Sequence, residues 1–288
     1  MKTYKEFIIT AEPFNADMLS GILWELDIKG INEDENSLTV FADSESQLSA
    51  EKIIQLLKKL QEENLLNNFH VKESIIEEKN WNVEWEKSLN VIRITDRIVI
   101  KPSFKEYEKQ DDEIVITIDP KMSFGTGEHQ TTKLMLLSLE KYLKKGIKVL
   151  DAGTGTGILA IASVKLGASE VIAFDNDESC YENAKENNLI NDVSGKVEIR
   201  IGGIDIVPEN DFDMIAANIH KNILISYKEQ FSKKLKPNGI IIISGLLEDE
   251  EDIIKTEYAE DNLRHIETKK MDEWVALIFK KKAIQNLY

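Results

Sequence analysis

The spacing of apolar residues along the chain predicts two structural regions. In the first 78 residues, apolar positions at helical spacing predict one helix over 16–27, with Asn15 as its N-cap, and a second helix that begins at Ser44 or Ser46. Runs with strand character surround these helices, near residues 4–11, 28–33, 37–42 and 70–76. The resulting order β-α-β-β-α-β is that of a ferredoxin-like α+β fold.

From residue 148 onward, short apolar runs alternate with helical segments. The runs predict five strands, at 148–150, 170–174, 197–201, 213–217 and 239–244. Helices are predicted between them, including 158–166, 179–188 and 222–235. Two further strands, 263–269 and 273–280, are separated by only three residues, which suits an antiparallel hairpin. We therefore predict an α/β fold in which a mostly parallel seven-stranded sheet ends in an antiparallel hairpin.

A charged segment connects the two regions. Its Trp81 and Trp85 lie four residues apart, which places them on one face of a helix. Such a pair usually packs a linker helix onto a domain, and a platform that contacts substrate is the less common alternative. We predict three parts: a small domain over 1–78, a linker helix over 79–95 and a large domain over 96–288. The large domain also has predicted strands at 97–102 and 113–118 and a predicted helix over 131–143.

The charge of the chain limits its partners. The 288 residues carry a formal net charge of −16, which argues against a broad surface that binds nucleic-acid phosphates, so we expect no direct DNA binding. Residues 1–80 hold 8 Lys and 16 Asp or Glu, and they therefore contribute −8. This acidic segment predicts a docking module for a basic partner, although a solvated surface that favours solubility explains the charge equally well.

Other features of the composition indicate a cytoplasmic protein. The single cysteine, Cys180, excludes an intrachain disulfide and fits a reducing compartment. No apolar run approaches the roughly 18–20 residues of a membrane span, and the amino terminus lacks the apolar core of a signal peptide. We expect no membrane association. Since no Cys/His cluster has the spacing of metal ligands, we also expect no metal.

The segment from Asp151 to Gly157 is the strongest chemical signal. It lies between a predicted strand and a predicted helix, and it holds Gly153, Gly155 and Gly157 in the pattern D-x-G-x-G-x-G. Glycines permit a sharp turn and let the backbone approach a ligand where a Cβ would clash. Dinucleotide-binding folds prefer G-x-G-x-x-G. The spacing here is typical of the Rossmann-like class I methyltransferases, which bind S-adenosylmethionine, and a nicotinamide cofactor is the remaining competitor.

Two polar residues follow strands of the same predicted sheet. Asp175 ends the strand after the glycine loop, where a carboxylate can accept both hydroxyl protons of a ribose. Asn218 follows the next strand but one, at the carboxyl edge where such sheets bind ligands. Its carbonyl oxygen can hold a nucleophilic amine. Taken alone, an asparagine at this place is more often a turn residue.

Motifs upstream and downstream make the interpretation more specific. Residues 124–132 read F-G-T-G-E-H-Q-T-T, and the glycine loop is followed by A-N-I at 217–219, S-G-L at 244–246 and E-W-V at 273–275. Together with Trp81 and Trp85, they resemble the PrmA family, the methyltransferases of the ribosomal large-subunit protein eleven. The resemblance covers roughly residues 80–280, and the first 78 residues match in fold pattern more than in sequence.

The resemblance implies a function and a set of contacts. It implies an S-adenosylmethionine-dependent protein N-methyltransferase that modifies lysine side chains or the amino-terminal amine of a large-subunit ribosomal protein. The family's cofactor contacts fall on Thr132, Gly153, Asp175 and Asn218 in this chain. Several residues depart from the family pattern without removing a required group, namely Glu128, Gln130, Thr154, Thr156 and His220.

The chemistry expected of such a site is the attack of a neutral amine on the sulfonium methyl group. A lysine ammonium, with a pKa near 10.4, has no lone pair, so the site must favour the neutral amine. We name Asn218 as the residue that aims the amine and His129 as a candidate proton acceptor, although a lone histidine is more often structural. Two alternatives remain: a same-fold enzyme for a small-molecule or nucleobase amine, and a non-catalytic cofactor-binding scaffold.

Overall fold

The computed structural model describes residues 3–77 and 89–283, except Glu25, Glu35, Asn64 and Met122. The chain forms two compact units that divide near residue 81. Trp81, Trp85 and most of the predicted linker helix lie outside the described residues. The described end of that segment contains a short strand at Ile92–Arg93, so the prediction of a helix up to residue 95 is wrong there.

The first unit has the predicted order β-α-β-β-α-β. Its strands are β1 Thr3–Glu12, β2 Gly30–Asp34, β3 Ser37–Asp43 and β4 Asn68–Glu77, and its helices are α1 Ala16–Leu23 and α2 Ala50–Glu62. The strands form an antiparallel sheet in the order β2-β3-β1-β4, which is the ferredoxin-like arrangement. Alternate residues of the central strands, such as Phe7 and Ile9, pack against the two helices in one hydrophobic core.

Both helices of this unit differ from the prediction at one end. Helix α1 ends at Leu23 and not at Asp27, because the chain turns back into the sheet, where the Lys29 amide donates to the Phe41 carbonyl at 2.7 Å. The Asn15 cap is confirmed by its hydrogen bond from the Met18 amide. Helix α2 begins at Ala50, after both predicted starting serines. Its first amide is held by a glutamate of β4, Glu73, at 3.0 Å.

The second unit contains two sheets. A small sheet of β5 Ile92–Arg93, β6 Ile98–Lys101 and β7 Ile114–Thr117 comes first in the chain. The large sheet has seven strands: β8 Lys148–Ala152, β9 Glu170–Asp175, β10 Val197–Ile201, β11 Phe212–Asn218, β12 Leu235–Leu247, β13 Leu263–Met271 and β14 Trp274–Lys281. Their order is β10-β9-β8-β11-β12-β14-β13. Strand β14 runs in the direction opposite to the other six. The mostly parallel sheet with a terminal antiparallel hairpin is confirmed.

Helices cover both faces of the large sheet. They are α3 Gln130–Tyr142, α4 Ile158–Leu166, α5 Glu178–Ile190, α6 Lys221–Lys234 and α7 Glu251–Glu260. Alternate residues of β11 enter the two separate cores: Met214 and Ala216 contribute to one, and Ile215 and Ala217 to the other. The sequence predicted α4 with its observed bounds but gave no helix at α7, where the acidic residues 248–252 obscure the apolar pattern.

The direction of the strands brings the predicted site residues together. Strands β8, β9 and β11 are parallel, so their carboxyl ends meet at one edge of the sheet. Ala152, Asp175 and Asn218 end these three strands. Among the helices of the described residues, none is long and apolar enough to cross a membrane.

Candidate active site

A cavity of about 520 Å³ opens at the carboxyl edge of β8, β9 and β11. Six of the seven residues predicted from the sequence as catalytic or cofactor-binding line it: His129, Thr132, Gly153, Gly155, Asp175 and Asn218. Gly157 does not. It begins α4 with a left-handed φ of +83°, and a Cβ at this place would lie 3.2 Å from the Cβ of Ala184. Gly157 therefore has a packing and turning role at the base of the loop.

The glycine loop is closely packed against the protein itself. Gly153 and Gly155 adopt φ of +73° and +53°, which favour glycine. A Cβ at Gly153 would collide with the side chain of Ile219, and one at Gly155 with the carbonyl oxygen of Phe124. From the sequence, we explained these glycines by the close approach of the cofactor to the backbone. The structure adds a second cause, because the chain's own neighbouring segments occupy the space.

Thr156 joins the glycine loop to the upstream segment 124–125. Its amide donates to the Phe124 carbonyl at 2.9 Å, and its hydroxyl donates to the Gly125 carbonyl at 2.8 Å. Its own carbonyl accepts a hydrogen bond from Nδ2 of Asn187 at 2.9 Å. Since all three polar groups of Thr156 are used in this way, the two motifs form one hydrogen-bonded assembly.

Asn187 extends this assembly to Asp119, which precedes the upstream segment in the chain. Its side chain is fully buried, and its Oδ1 accepts a hydrogen bond from the Asp119 amide at 3.0 Å. Asn191, one turn later on the same side of the helix, accepts from the Thr117 amide and donates to the Thr117 carbonyl. The asparagines near the end of α5 thus hold residues 117–119 in place, and these residues lead into the upstream segment.

The carboxylate of Asp175 is held in a fixed orientation at the wall of the cavity. Its Oδ2 accepts a hydrogen bond from the Gly155 amide at 2.9 Å, and its Oδ1 accepts one from the Asp177 amide at 3.1 Å. Each carboxylate oxygen has a second lone pair. The half-exposed Asp175 can therefore accept further hydrogen bonds from a ligand that enters the cavity.

Asn218 is oriented by a short chain of hydrogen bonds. Its Nδ2 donates to Oγ1 of Thr131 at 3.2 Å, and that hydroxyl lies 2.8 Å from Nδ1 of His129. Oδ1 of Asn218 is buried and has no hydrogen-bond partner among the described residues, and the same is true of Oγ1 of Thr132. A buried polar atom without a partner is costly. Both oxygens belong to residues that line one cavity, where a ligand with polar hydrogen atoms can satisfy them.

His129 caps helix α3. The Thr131 amide donates to its Nδ1 at 3.3 Å, and because an amide can only donate, Nδ1 is the acceptor and the ring proton of the neutral imidazole lies on Nε2. The ring also contacts Phe124 and Trp274 edge to face, with centroids 5.3 Å and 4.8 Å away. These three rings form one side of the cavity, close to Asn218.

Asp151 lies beneath the glycine loop and is fully buried. Its Oδ2 accepts a hydrogen bond from the Thr154 hydroxyl at 2.7 Å. Burial raises the pKa of the Asp151 carboxyl to about 7, against a weaker opposing effect of that hydrogen bond. Thr154, one of the departures from the family pattern, thus supports the loop from inside.

The sequence named no role for several residues that shape the cavity. Thr131, Phe124 and Trp274 were all within quoted motifs, and their positions beside Asn218 result from packing between distant segments. Of the departures, Thr154 and His220 line the cavity, whereas Glu128 is exposed and does not. Among the described residues, no group of three or more His, Cys, Asp or Glu side chains is arranged to hold a metal ion.

Comparisons with known proteins agree with this geometry. The family described as ribosomal protein L11 methyltransferase (PrmA) matches residues 7–282. A protein of that name from Ruminiclostridium cellulolyticum is 39% identical over 71% of this chain and 66% of its own length, so the matched part is just under two thirds of that relative. Another from Caldicellulosiruptor saccharolyticus is 33% identical over 98% of this chain and 100% of its own.

A solved structure gives the same result. The crystal structure of ribosomal protein L11 methylase from Lactobacillus delbrueckii subsp. bulgaricus aligns with a TM-score of 0.64 and 31% identity. The alignment covers 67% of this chain and 100% of that one.

Proposed function

The chain belongs to the ribosomal protein L11 methyltransferase (PrmA) family, and on that premise we propose that it methylates amino groups of ribosomal protein L11. The cofactor of this Rossmann-like fold is S-adenosylmethionine. The observation that supports the proposal most directly is the buried, unpartnered Oδ1 of Asn218, which lies beside the cavity at the end of β11. The site thus has a hydrogen-bond acceptor available for an amine.

The residues around the cavity fit the proposed cofactor. Asp175, whose orientation is fixed by two backbone amides, would accept hydrogen bonds from the ribose hydroxyls. Oγ1 of Thr132 lacks a partner and would contact the cofactor from the side of the upstream segment. Gly153 and Gly155 line the cavity with backbone alone. When bound, the cofactor supplies a methyl group on a positively charged sulfur.

We assign to Asn218 the task of holding the acceptor amine. A neutral amine can donate a hydrogen bond to Oδ1 while its lone pair remains available, and an amide does not favour the ammonium form as a carboxylate would. Thr131 keeps Nδ2 on the opposite side, so Oδ1 is the group presented to the amine. The adjacent rings of Phe124, His129 and Trp274 would replace part of the water around the amine, and desolvation lowers the pKa of an amine.

His129 has two proposed roles, and the geometry favours one of them. As a proton acceptor, the ring would have to take a second proton on Nδ1 and lose the bonds from Thr131. As a cap, it uses Nδ1 as it is. We therefore propose that His129 mainly positions Thr131, and that the proton of the amine leaves to solvent before the amine enters.

The substrate preference rests on the acidic first unit. Its charge of −8 suits a basic protein, and ribosomal proteins that bind RNA are basic. We propose that residues 1–78 dock this partner in the cytoplasm, where the single Cys180 remains reduced. The two alternatives predict other outcomes. A different amine substrate would give another methylated product, and a scaffold without activity would give none.

The test is incubation of the full chain with labelled S-adenosylmethionine and three acceptors: purified ribosomal protein L11, a ribosomal protein of equal basic charge, and free lysine. We expect label in L11 only, at amine nitrogens located by mass spectrometry. The Asn218→Ala variant is the matched control for contaminating activity. Label in the other acceptors would favour a different substrate, and cofactor binding without label in any of them would favour the scaffold.

A further inference from the structure

A second cleft, of about 890 Å³, lies in the large unit and has a charge opposite to that of the chain. Five cationic side chains line it: Lys233, Arg264, Lys280, Lys281 and Lys282. Its other polar lining comes from Ser232, Asn238 and Asn262, which are uncharged, and no carboxylate of the residues up to 283 that the structure describes contributes to the lining. In a chain with 52 acidic and 36 basic residues, such a concentration of positive charge requires an explanation.

Two of the five cations already have structural partners. The ammonium of Lys281 donates to the carbonyls of Ser232 and Leu235, both at 2.6 Å, and so closes the end of helix α6. Lys233 forms an ion pair with Glu229 at 2.5 Å. Arg264, Lys280 and Lys282 have no ion pair with any described residue. The cleft therefore offers three uncompensated positive charges.

Arg264 and Lys280 are placed so that their positive charges repel each other. They are directly opposite each other in the antiparallel pair β13–β14. Side chains opposite each other on neighbouring strands are about 4.5–5.5 Å apart at Cβ, and like charges placed so destabilise the sheet. Lys282 follows directly after the end of β14 and lines the same cleft. An anion placed between these side chains would relieve the repulsion.

We propose that this cleft binds a compact anion that carries two or three phosphate groups. Arg, Lys and Asn side chains are the usual donors to phosphate oxygens, and the three uncompensated cations match the charge of such a group. The size of the cleft lies in the range of small-molecule sites. A long nucleic acid fits less well, because it would extend from the cleft onto the acidic remainder of the surface.

The cleft is remote from the cofactor cavity. Trp274 lines the cofactor cavity at one end of β14, and Lys280 lines the cleft six residues further along the same strand. At about 3.3 Å per residue, the two positions are roughly 20 Å apart. The proposal is thus independent of methyl transfer, and its test does not depend on that activity.

The test is calorimetric titration of the full chain with tripolyphosphate, which lacks an adenosine that could enter the cofactor cavity. We expect one site per chain, and a weaker affinity when the salt concentration rises from 50 to 200 mM. The double variant Arg264→Ala/Lys280→Ala should raise Kd at least tenfold. The matched control, Lys144→Ala/Lys196→Ala, removes two exposed lysines elsewhere in the same unit and should leave Kd within twofold.

Cofactor binding provides the check that each variant is folded, and it should be unchanged in both. The proposal is overturned if tripolyphosphate fails to bind the unmodified chain at 50 mM salt, or if the two double variants lose equal affinity. It is also overturned if a ten-nucleotide single-stranded RNA binds more tightly than tripolyphosphate at equal salt, since the cleft would then be part of a surface that binds nucleic acid.

Discussion

Asn218 and Thr131 are joined by a hydrogen bond of 3.2 Å that fixes which face of the Asn218 amide is presented to the cavity. Nδ2 is used by Thr131, whereas Oδ1 has no partner among the described residues and is available to the acceptor amine of our proposal. In our proposal, this relationship separates the positioning of the nucleophile from the binding of the cofactor.

Replacing Asn218 by Ala should reduce the single-turnover methylation rate about 100-fold, because the amine is no longer aimed. Cofactor affinity should fall much less, since the contact matters most in the transition state. Asn218→Asp should keep part of the activity with its optimum at higher pH, because a carboxylate stabilises the ammonium form. Equal losses of rate and affinity in Asn218→Ala would make the residue a cofactor anchor.

Substitutions of His129 distinguish a cap from a proton acceptor. Asn is a good N-cap but a poor base, so His129→Asn should retain most of the methylation rate and the shape of its pH profile. His129→Leu removes the cap and should lower the free energy of unfolding by about 1 kcal/mol. If His129→Asn is as inactive as His129→Leu while remaining as stable as the unmodified chain, the ring is the proton acceptor.

Asp175→Ala should weaken cofactor binding by about 1.5–3 kcal/mol, through loss of charge-assisted hydrogen bonds to the ribose. That corresponds to a roughly 10- to 150-fold increase in the calorimetric Kd. Glu178→Ala is the control, because it removes an exposed carboxylate three residues away that does not line the cavity. An unchanged Kd in a folded Asp175→Ala protein would contradict the assignment.

Deletion of residues 1–78 should leave cofactor binding nearly intact and abolish methylation of the protein substrate. The reason is that the residues that line the cofactor cavity all belong to the second unit, whereas the proposed docking surface belongs to the first. Calorimetry and methylation are measured on the same truncated sample. Methylation of ribosomal protein L11 at the full-length rate would show that docking does not depend on this unit.

Asp151 should make stability depend on pH near neutrality. Its folded pKa of about 7 lies above the ordinary value of 3.8, so the native state holds a proton that the unfolded chain releases. Its contribution is fully present below pH 3.8 and is lost as pH rises through 7, with a slope of up to about 1.4 kcal/mol per unit. Asp151→Asn should remove this slope, as measured by denaturant unfolding between pH 5 and 8. Parallel curves for the two proteins would contradict the raised pKa.

Local patterns in the sequence were sufficient for the elements with strong periodicity. The bounds of α4 and β10 were predicted as observed, and the mostly parallel layout with a terminal hairpin followed from the alternating elements, whereas the order of the strands was not predicted. Helix α7 was missed because its buried positions are few, with Glu251 among them beside Ile254 and Tyr258. Helix α1 was predicted too long, since the pattern continues through Leu26 although the backbone turns after Leu23.

The site residues were predicted where a strand end determines their place. Asp175 and Asn218 end β9 and β11, the two parallel neighbours of β8, and this pairing is enough to bring them to one cavity. The link from His129 through Thr131 to Asn218 spans 87 residues at its last step, and no local pattern shows such a contact. The same holds for the collision that a Cβ at Gly155 would make with Phe124.

The bonds of Thr156 to the carbonyls of Phe124 and Gly125 have a consequence for protein engineering. The glycine loop is not a transplantable cassette, because its conformation is completed by a segment about thirty residues upstream and by Asn187 downstream. A chimaera that exchanges only residues 151–157 between two methyltransferases would inherit the turn but not its support. The block that contains these hydrogen-bonded partners runs from residue 117 to residue 191, and crossover points belong outside it.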